Sequence, residues 1–267
     1  MQSRRNWSLI LGCAISFFMI ALIIVGFFWT PYEPTAMDSA ARSASPSARH
    51  ILGCDNFGRD IFSRVLEGAG TTLVIAASTV VIGLAIGIIV GAFTGYFGGW
   101  LDEVLMRISD VITAFPSVLM AMVLISLLGS GKHNIIIALS ILFIPSFARV
   151  VRSEFAKEKQ MDYVRAARLM GAGHIRIMFV HILPNVIPVL LSAVAIGFNN
   201  AVLAEASMSF LGIGVQVPDP SLGRMLSESQ SFLFSAPWYP LSSGITIVLL
   251  VLGFGLISDG LGGKNNA

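Results

Sequence analysis

Apolar residues fall along this chain in long blocks rather than at a helical or strand period. Six blocks stand out, at about residues 8–30, 72–95, 104–128, 134–150, 186–211 and 241–257. A helix needs about 20 mostly apolar residues to cross roughly 30 Å of hydrocarbon. The pattern therefore predicts an all-α integral membrane protein with six transmembrane helices, the fourth being the shortest. Arg4 and Arg5 precede the first block, as in a signal peptide. That block is too long for one, however, and no small-residue cleavage site precedes Pro31, so it reads as a retained span.

The polar intervals divide the chain further. Residues 1–30 form the N-terminal span, and 31–71 an extracytoplasmic linker that is Ser/Ala/Pro-rich to about Pro46. From Phe57 onward, Ile61, Val65 and Ala69 share one helical face, and Asp60, Ser63, Arg64 and Glu67 take the other. This predicts an amphipathic helix lying on the outer surface before the second span. Residues 72–260 form a core of five spans. It is interrupted by a polar loop at 151–185 and by a Pro/Ser/Gly-rich outer loop at 212–240, and 261–267 form a tail.

Composition agrees with lipid as the main solvent. The chain is 55% hydrophobic and 12% charged, with mean hydropathy +0.81, whereas soluble domains carry about 25% charged residues. The net charge of +2 does not point to nucleic acid. The loop between the fourth and fifth blocks holds Arg149, Arg152, Lys157, Lys159, Arg165, Arg168 and Arg176, and Arg4, Arg5 and Lys264 flank the termini. Lysine and arginine favour the cytoplasmic side of short loops. Both termini and this loop are therefore expected in the cytoplasm.

Polar and small residues inside the blocks raise specific expectations. Gly83, Gly87, Gly91 and Gly95 form one stripe, suited to close approach of another helix backbone. Arg107 and Asp110 lie one turn apart and are expected to neutralise each other. Asn199, Asn200 and Glu205 lie within the fifth block and are candidates for a translocation path or an interior polar contact. A carboxylate there must face protein or water, so Glu205 either lines a translocation path or bonds helix to helix. Cys13 lies in a span and Cys54 in an outer loop, which argues against a disulfide between them. No Cys/His cluster has zinc-ligand spacing, so no metal site is expected.

The stretch DYVRAARLMGAGHIRIMFVHILPN, from Asp162 to Asn185, is basic and broken by glycine. It predicts a short helix over 161–170, a turn at Gly171-Ala172-Gly173, and a second short helix ended by Pro184. On that second helix Ile175, Met178, Phe179 and Ile182 would form the apolar face, with His174 and His181 on a polar one. The segment has no nucleophile–base pair, and the chain has no Gly-x4-Gly-Lys-Ser/Thr phosphate loop, so no catalytic site is expected. A short exposed knob of this kind suits docking in a partner's groove.

This loop, with Ala166-Ala167, Gly171 and His181-Ile182-Leu183-Pro184, resembles the signature cytoplasmic loop of ABC-importer permeases. Arg165 stands where a glutamate is usual and His181 where an isoleucine is usual. Those departures are similar to the dipeptide/oligopeptide/nickel branch. HILGCDNFGRDIFSRVLEGA before the second span, Asp110 with Phe115-Pro116, and EASMSFLGIGVQVPDPSLGRML also resemble that branch. Cys54 replaces a usual threonine and Gly70 a frequent arginine, so no role is carried to those positions.

The resemblance implies a type I ABC-importer permease fold with cytoplasmic coupling helices. It implies a "C"-type subunit paired with a second permease, two cytoplasmic ATPase subunits that bind ATP and Mg, and an extracytoplasmic solute-binding protein. Tyr163, Arg165, Ala166, Ala167, Gly171 and Ala172 would contact the ATPase. The substrate would be a peptide, nickel or a metal chelate. The rival readings are an ATP-independent channel or secondary transporter, and an intramembrane enzyme. No internal repeat, chain of buried carboxylates or pair of catalytic groups within the spans favours either.

Overall fold

The computed structural model describes residues 2–262, with side chains from 7 to 260. Arg4 and Arg5 as side chains, and Lys264 with the tail beyond 262, lie outside this description. All regular structure among the described residues is helical. Five helices are long and apolar enough to span a membrane: Trp7–Phe28, Ile61–Phe97, Lys132–Glu158, His174–Phe210 and Trp238–Gly260. A bent pair, Gly99–Ala114 and Ser117–Leu128, with an angle of 96° between its halves, brings the number to six when it is counted as one span.

The elements are α1 (Gln2–Phe28), α2 (Ile61–Phe97), α3 (Gly99–Ala114), α4 (Ser117–Leu128) and α5 (Lys132–Glu158), followed by α6 (Asp162–Leu169). Next come α7 (His174–Arg176), a π-helical turn (Ile177–Ile182), α8 (Leu183–Phe210), α9 (Leu222–Ser229) and α10 (Trp238–Gly262). α2 lies at the centre. It packs along α5 on one side and meets α8 and α1 on others, while α1 runs along α10. One core joins α1, α2, α8, α9 and α10 through Ile23, Ile61, Ala76, Phe198, Met225 and Leu250. A second joins α2, α5, α6 and the π turn through Ala92, Phe155, Val164, Met178 and Ile182.

Three expectations about the spans are corrected. The 104–128 block is two helices, because Pro116 has no N–H and forces Phe115 out of the helical region, to φ −93° and ψ 147°. The amphipathic helix before the second span is the start of α2 itself, a single helix of 37 residues. Its polar face is not laid on a membrane surface: Ser63 and Arg64 are buried, and Asp60 caps the helix by accepting from the Ser63 N–H. Finally, the second short helix of the 162–185 loop is not separate, since His174–Phe210 is one continuous span. The wide π turn ahead of Pro184 lets the chain pass a proline without stopping.

Other details also differ. The 212–240 loop contains α9, whose Leu222 and Met225 are fully buried. Arg107 pairs with Glu103 at 3.3 Å, and Asp110 with Arg149 of α5 at 3.3 Å, so the two do not neutralise each other. α3 is held to α5 again by the Arg152–Asp102 pair.

Candidate functional site

α6 stands at the end of the molecule where α2 and α5 finish. Val164 and Ala167 are its inward face, packed with Ile177, Met178 and Ile182. Tyr163, Arg165 and Ala166 face out, as do Leu169 and Met170, which are 89% and 81% exposed. Of the six residues expected to touch a partner, Ala167 is therefore corrected: it is turned into the core, at 3% exposure, because Val164 and Ala167 form the one apolar edge of this short helix. Ala172 is half-buried. On the following turn the expected apolar face is also corrected, since Ile175 is 57% exposed and Ile177 takes its place inside.

Gly171 ends α6 with φ +83°, a value that L side chains rarely adopt. The Ala172 N–H bonds the Ala167 carbonyl at 3.0 Å and the Gly171 N–H bonds that of Arg168 at 3.0 Å. This is a Schellman closure, which satisfies the last carbonyls of the helix. Nothing lies within 4 Å of where a Cβ on Gly171 would stand, so backbone conformation rather than crowding demands glycine.

The knob is fixed to three helices through one residue that sequence reasoning missed. The Tyr96 hydroxyl, near the end of α2, lies 2.9 Å from His174 Nδ1 and accepts from Arg168 Nη2 at 3.3 Å. Lys159, just past α5, donates to the Tyr96 carbonyl at 3.0 Å. Tyr96 thus holds the end of α2 to α6, to the start of α7 and to the end of α5. His174, expected only to occupy a polar face, is part of this clamp. The available signal was a tyrosine at the end of an apolar block, where an aromatic ring carries a polar handle. Tyr163 adds a tie by donating to Glu158 Oε2 at 2.7 Å, and burial together with that hydrogen bond raises its pKa.

The four glycines lie against α5. A Cβ on Gly87 would stand 2.6 Å from Phe147 Cβ, and one on Gly91 or Gly95 would stand 2.5 Å from the carbonyl oxygen of Ala148 or Arg152. The polar residues of the fifth span are not brought together. Glu205 has no exposure; it accepts from Thr72 Oγ1 of α2 at 2.8 Å and from Ser209 Oγ at 2.7 Å. Those hydroxyls in turn accept from the N–H groups of Leu222 and Val215. Glu205 therefore ties α8 to α2 and to the chain leading into α9, and does not face a path within this chain. Asn200 lines a cavity of about 540 Å³ between the α3–α4 bend, α5 and α8, with Phe115, Ser146 and Ser207 among its walls. Asn199 is only partly exposed, with its Oδ1 buried.

At the opposite end, charged residues of the outer segments form a buried knot. Glu228 of α9 accepts from Arg59 at 3.0 Å, Arg64 at 3.1 Å, Arg224 at 3.1 Å and Tyr239 at 3.2 Å. Burial works to raise the Glu228 pKa, but Arg64, Arg224 and Arg59 outweigh it and hold it below the usual carboxylate range. Nearby, three potential ligand side chains come together that the sequence reading did not single out. His50, Cys54 and Asp60 offer ligand atoms all within 4.8 Å of one another. The cluster is not visible as Cys/His spacing because a carboxylate supplies the third donor and a chain reversal, with a Cys54–Asp60 bridge, brings it close.

The family described as "Binding-protein-dependent transport system inner membrane component" matches residues 83–263. The chain belongs to this family. This permease is 39% identical, over 97% of its own length and 86% of the relative's, to the dipeptide transport system permease protein DppC of Alkalihalophilus pseudofirmus. It is 42% identical to the glutathione transport system permease protein GsiD of Escherichia coli, over 91% and 82% of the two chains. In three dimensions the permease resembles the MetNI methionine ABC transporter in its inward-facing conformations, with TM-score 0.61, 21% identity, and 73% and 93% of the two chains covered. It is thus a membrane-spanning permease subunit of a peptide-type ABC importer family, with the type I permease fold, whose relatives are named as transport permeases and not as catalytic subunits. Membership implies an inner membrane, ATPase subunits and a solute-binding protein.

Proposed function

We propose that this chain carries peptides across the inner membrane, and that the 162–185 loop couples their passage to ATP hydrolysis by partner subunits. The relatives that match over nearly the whole chain are named for dipeptide and glutathione transport, which supports a short peptide over nickel or a metal chelate as the substrate. In this reading the permease pairs with a second permease, and two ATPase subunits bind ATP and Mg. Both termini and the loop lie in the cytoplasm, while 31–71 and 212–240 lie outside.

The observation that carries the coupling role is the combination of an exposed knob with a rigid mount. Tyr163, Arg165, Ala166, Leu169 and Met170 face out, while Val164, Ala167 and the Tyr96 contacts lock α6 to the ends of α2 and α5. An ATPase dimer that closes on ATP and grips α6 therefore moves these helices as a body. The permease pair then switches between inward- and outward-facing states, and solute enters the path from the binding protein.

The test is reconstitution of the full complex with its binding protein, with ATP hydrolysis and uptake measured together. Gly171→Val forces a β-branched residue into φ +83°. Insertion is expected to be normal and uptake per ATP to fall sharply. Arg165→Glu should show a milder loss, because an exposed charge contributes little until a partner desolvates it. Normal coupled uptake by well-inserted Gly171→Val complexes refutes the coupling role. For the substrate, dipeptides, glutathione and Ni²⁺ are compared by thermal stabilisation of the cognate binding protein, and stabilisation by Ni²⁺ alone overturns the peptide reading.

A further inference from the structure

We propose that His50, Cys54 and Asp60 form a binding site for one Zn²⁺ ion on the face of the permease opposite the coupling loop. The three donor atoms, an imidazole nitrogen, a thiol sulfur and a carboxylate oxygen, lie within 4.8 Å of one another. Tetrahedral zinc ligands at about 2.0–2.3 Å from the metal sit roughly 3.5 Å apart, so ligation needs only a small contraction. The donor set itself selects the ion. Thiolate and imidazole favour zinc over calcium or magnesium, and zinc has no redox chemistry with which to oxidise the sulfur.

The surroundings fit a dication. Cys54 is fully buried, and Asp60, Asp55 and Asp38 place negative charge around it. Asp55 is already paired with Arg59 at 2.6 Å, so Asp60 is the carboxylate that offers the ion a ligand. Asp60 is already rigid: its Oδ2 accepts from the Ser63 N–H and hydroxyl at 2.8 and 2.7 Å, which orients Oδ1 toward His50 Nδ1 at 2.8 Å. The Tyr32 ring lies 4.7 Å from the His50 ring and fixes its plane. Such outer contacts hold metal ligands in place. A cavity of about 300 Å³, walled by Glu33, Asp38, Arg49, His50 and Asp60 among others, reaches two of the three ligands and leaves room for water at the fourth coordination position.

Bound there, the ion would join the segment that follows α1 to the first turn of α2. It replaces the hydrogen bond between His50 and Asp60 and displaces the thiol proton of Cys54, which passes to solvent.

The experiment uses the full chain within its purified permease complex, stripped of metal by chelator dialysis. Co²⁺ is titrated as a spectroscopic probe and Zn²⁺ binding is measured by equilibrium dialysis with elemental analysis. One Zn²⁺ per chain is expected, with a Co²⁺–thiolate charge-transfer band that Zn²⁺ abolishes. Cys54→Thr, which keeps the side chain's size, should remove the band. His50→Gln should weaken Zn²⁺ binding at least about tenfold, and Cys13→Ala should change neither. Thermal unfolding of metal-free Cys54→Thr checks that the variant is folded. Absence of stoichiometric binding overturns the proposal. So does a band that survives Cys54→Thr, or one that disappears in Cys13→Ala.

Discussion

Replacing Gly91 by alanine tests whether the glycine stripe is a packing surface set by distance. The added Cβ would stand 2.5 Å from the Ala148 carbonyl oxygen, 2.6 Å from Val151 Cβ and 2.9 Å from the Arg152 nitrogen. Ordinary van der Waals contact lies at 3.4–4 Å. Two of these three atoms are backbone and cannot rotate aside, so α2 and α5 must part by about 1 Å near Gly91, loosening Ala92, Val151 and Phe155. Overpacking of this kind costs about 1–3 kcal/mol, offset by up to about 1 kcal/mol from alanine's better helix propensity. Gly244 of α10 is the control, because nothing lies within 4 Å of its added Cβ. Thermal unfolding of the purified permease in detergent is followed by tryptophan fluorescence. At roughly 2–4 °C per kcal/mol, Gly91→Ala should melt several degrees below wild type and Gly244→Ala at or above it. Gly83→Ala, whose nearest contact is Phe143 Cβ at 3.2 Å, should fall between. If Gly91→Ala melts no lower than Gly244→Ala, the helices are not held by this approach and the reasoning is wrong.

Three further outcomes are expected. Glu205→Leu leaves the Thr72 and Ser209 hydroxyls without their acceptor, at about 1–3 kcal/mol each, so assembly or transport should drop much more than with Glu205→Gln; wild-type behaviour of both variants would show that the bonds between helices carry no load. Tyr96→Phe keeps the ring but removes the hydroxyl that meets His174 and Arg168, so uptake per ATP should fall while expression and melting temperature stay near wild type; unchanged coupling would remove Tyr96 from the transmission route. Glu228 has a folded-state pKa below its ordinary 4.5, so its contribution is fully present above about pH 4.5 and is lost as pH falls through the lower folded value. Acid unfolding of the permease should therefore show a component in that window that Glu228→Gln lacks, and identical pH profiles for the two proteins would count against the buried knot.

What could be read from the chain was whatever depends on local composition. Six apolar blocks place the spans, and the Gly171 break inside a basic segment places an exposed knob between two of them. Both follow from residues adjacent in sequence, since a helix in lipid satisfies its own backbone and needs only enough apolar length. The path of the chain between those blocks was less legible. Ile61 to Thr71 read as a surface helix because alternating polar and apolar faces look alike whether the polar face meets water or buried charge. Arg64 has 1% exposure only because Glu228, 164 residues away, is folded against it. Glu205 meets Thr72 across 133 residues, and Tyr96 meets His174 across 78. His50, Cys54 and Asp60 converge through a chain reversal with no spacing rule of its own. The tertiary structure decided these pairings, because a buried polar group is stable only beside its partner and which segments become neighbours is a property of the whole packing.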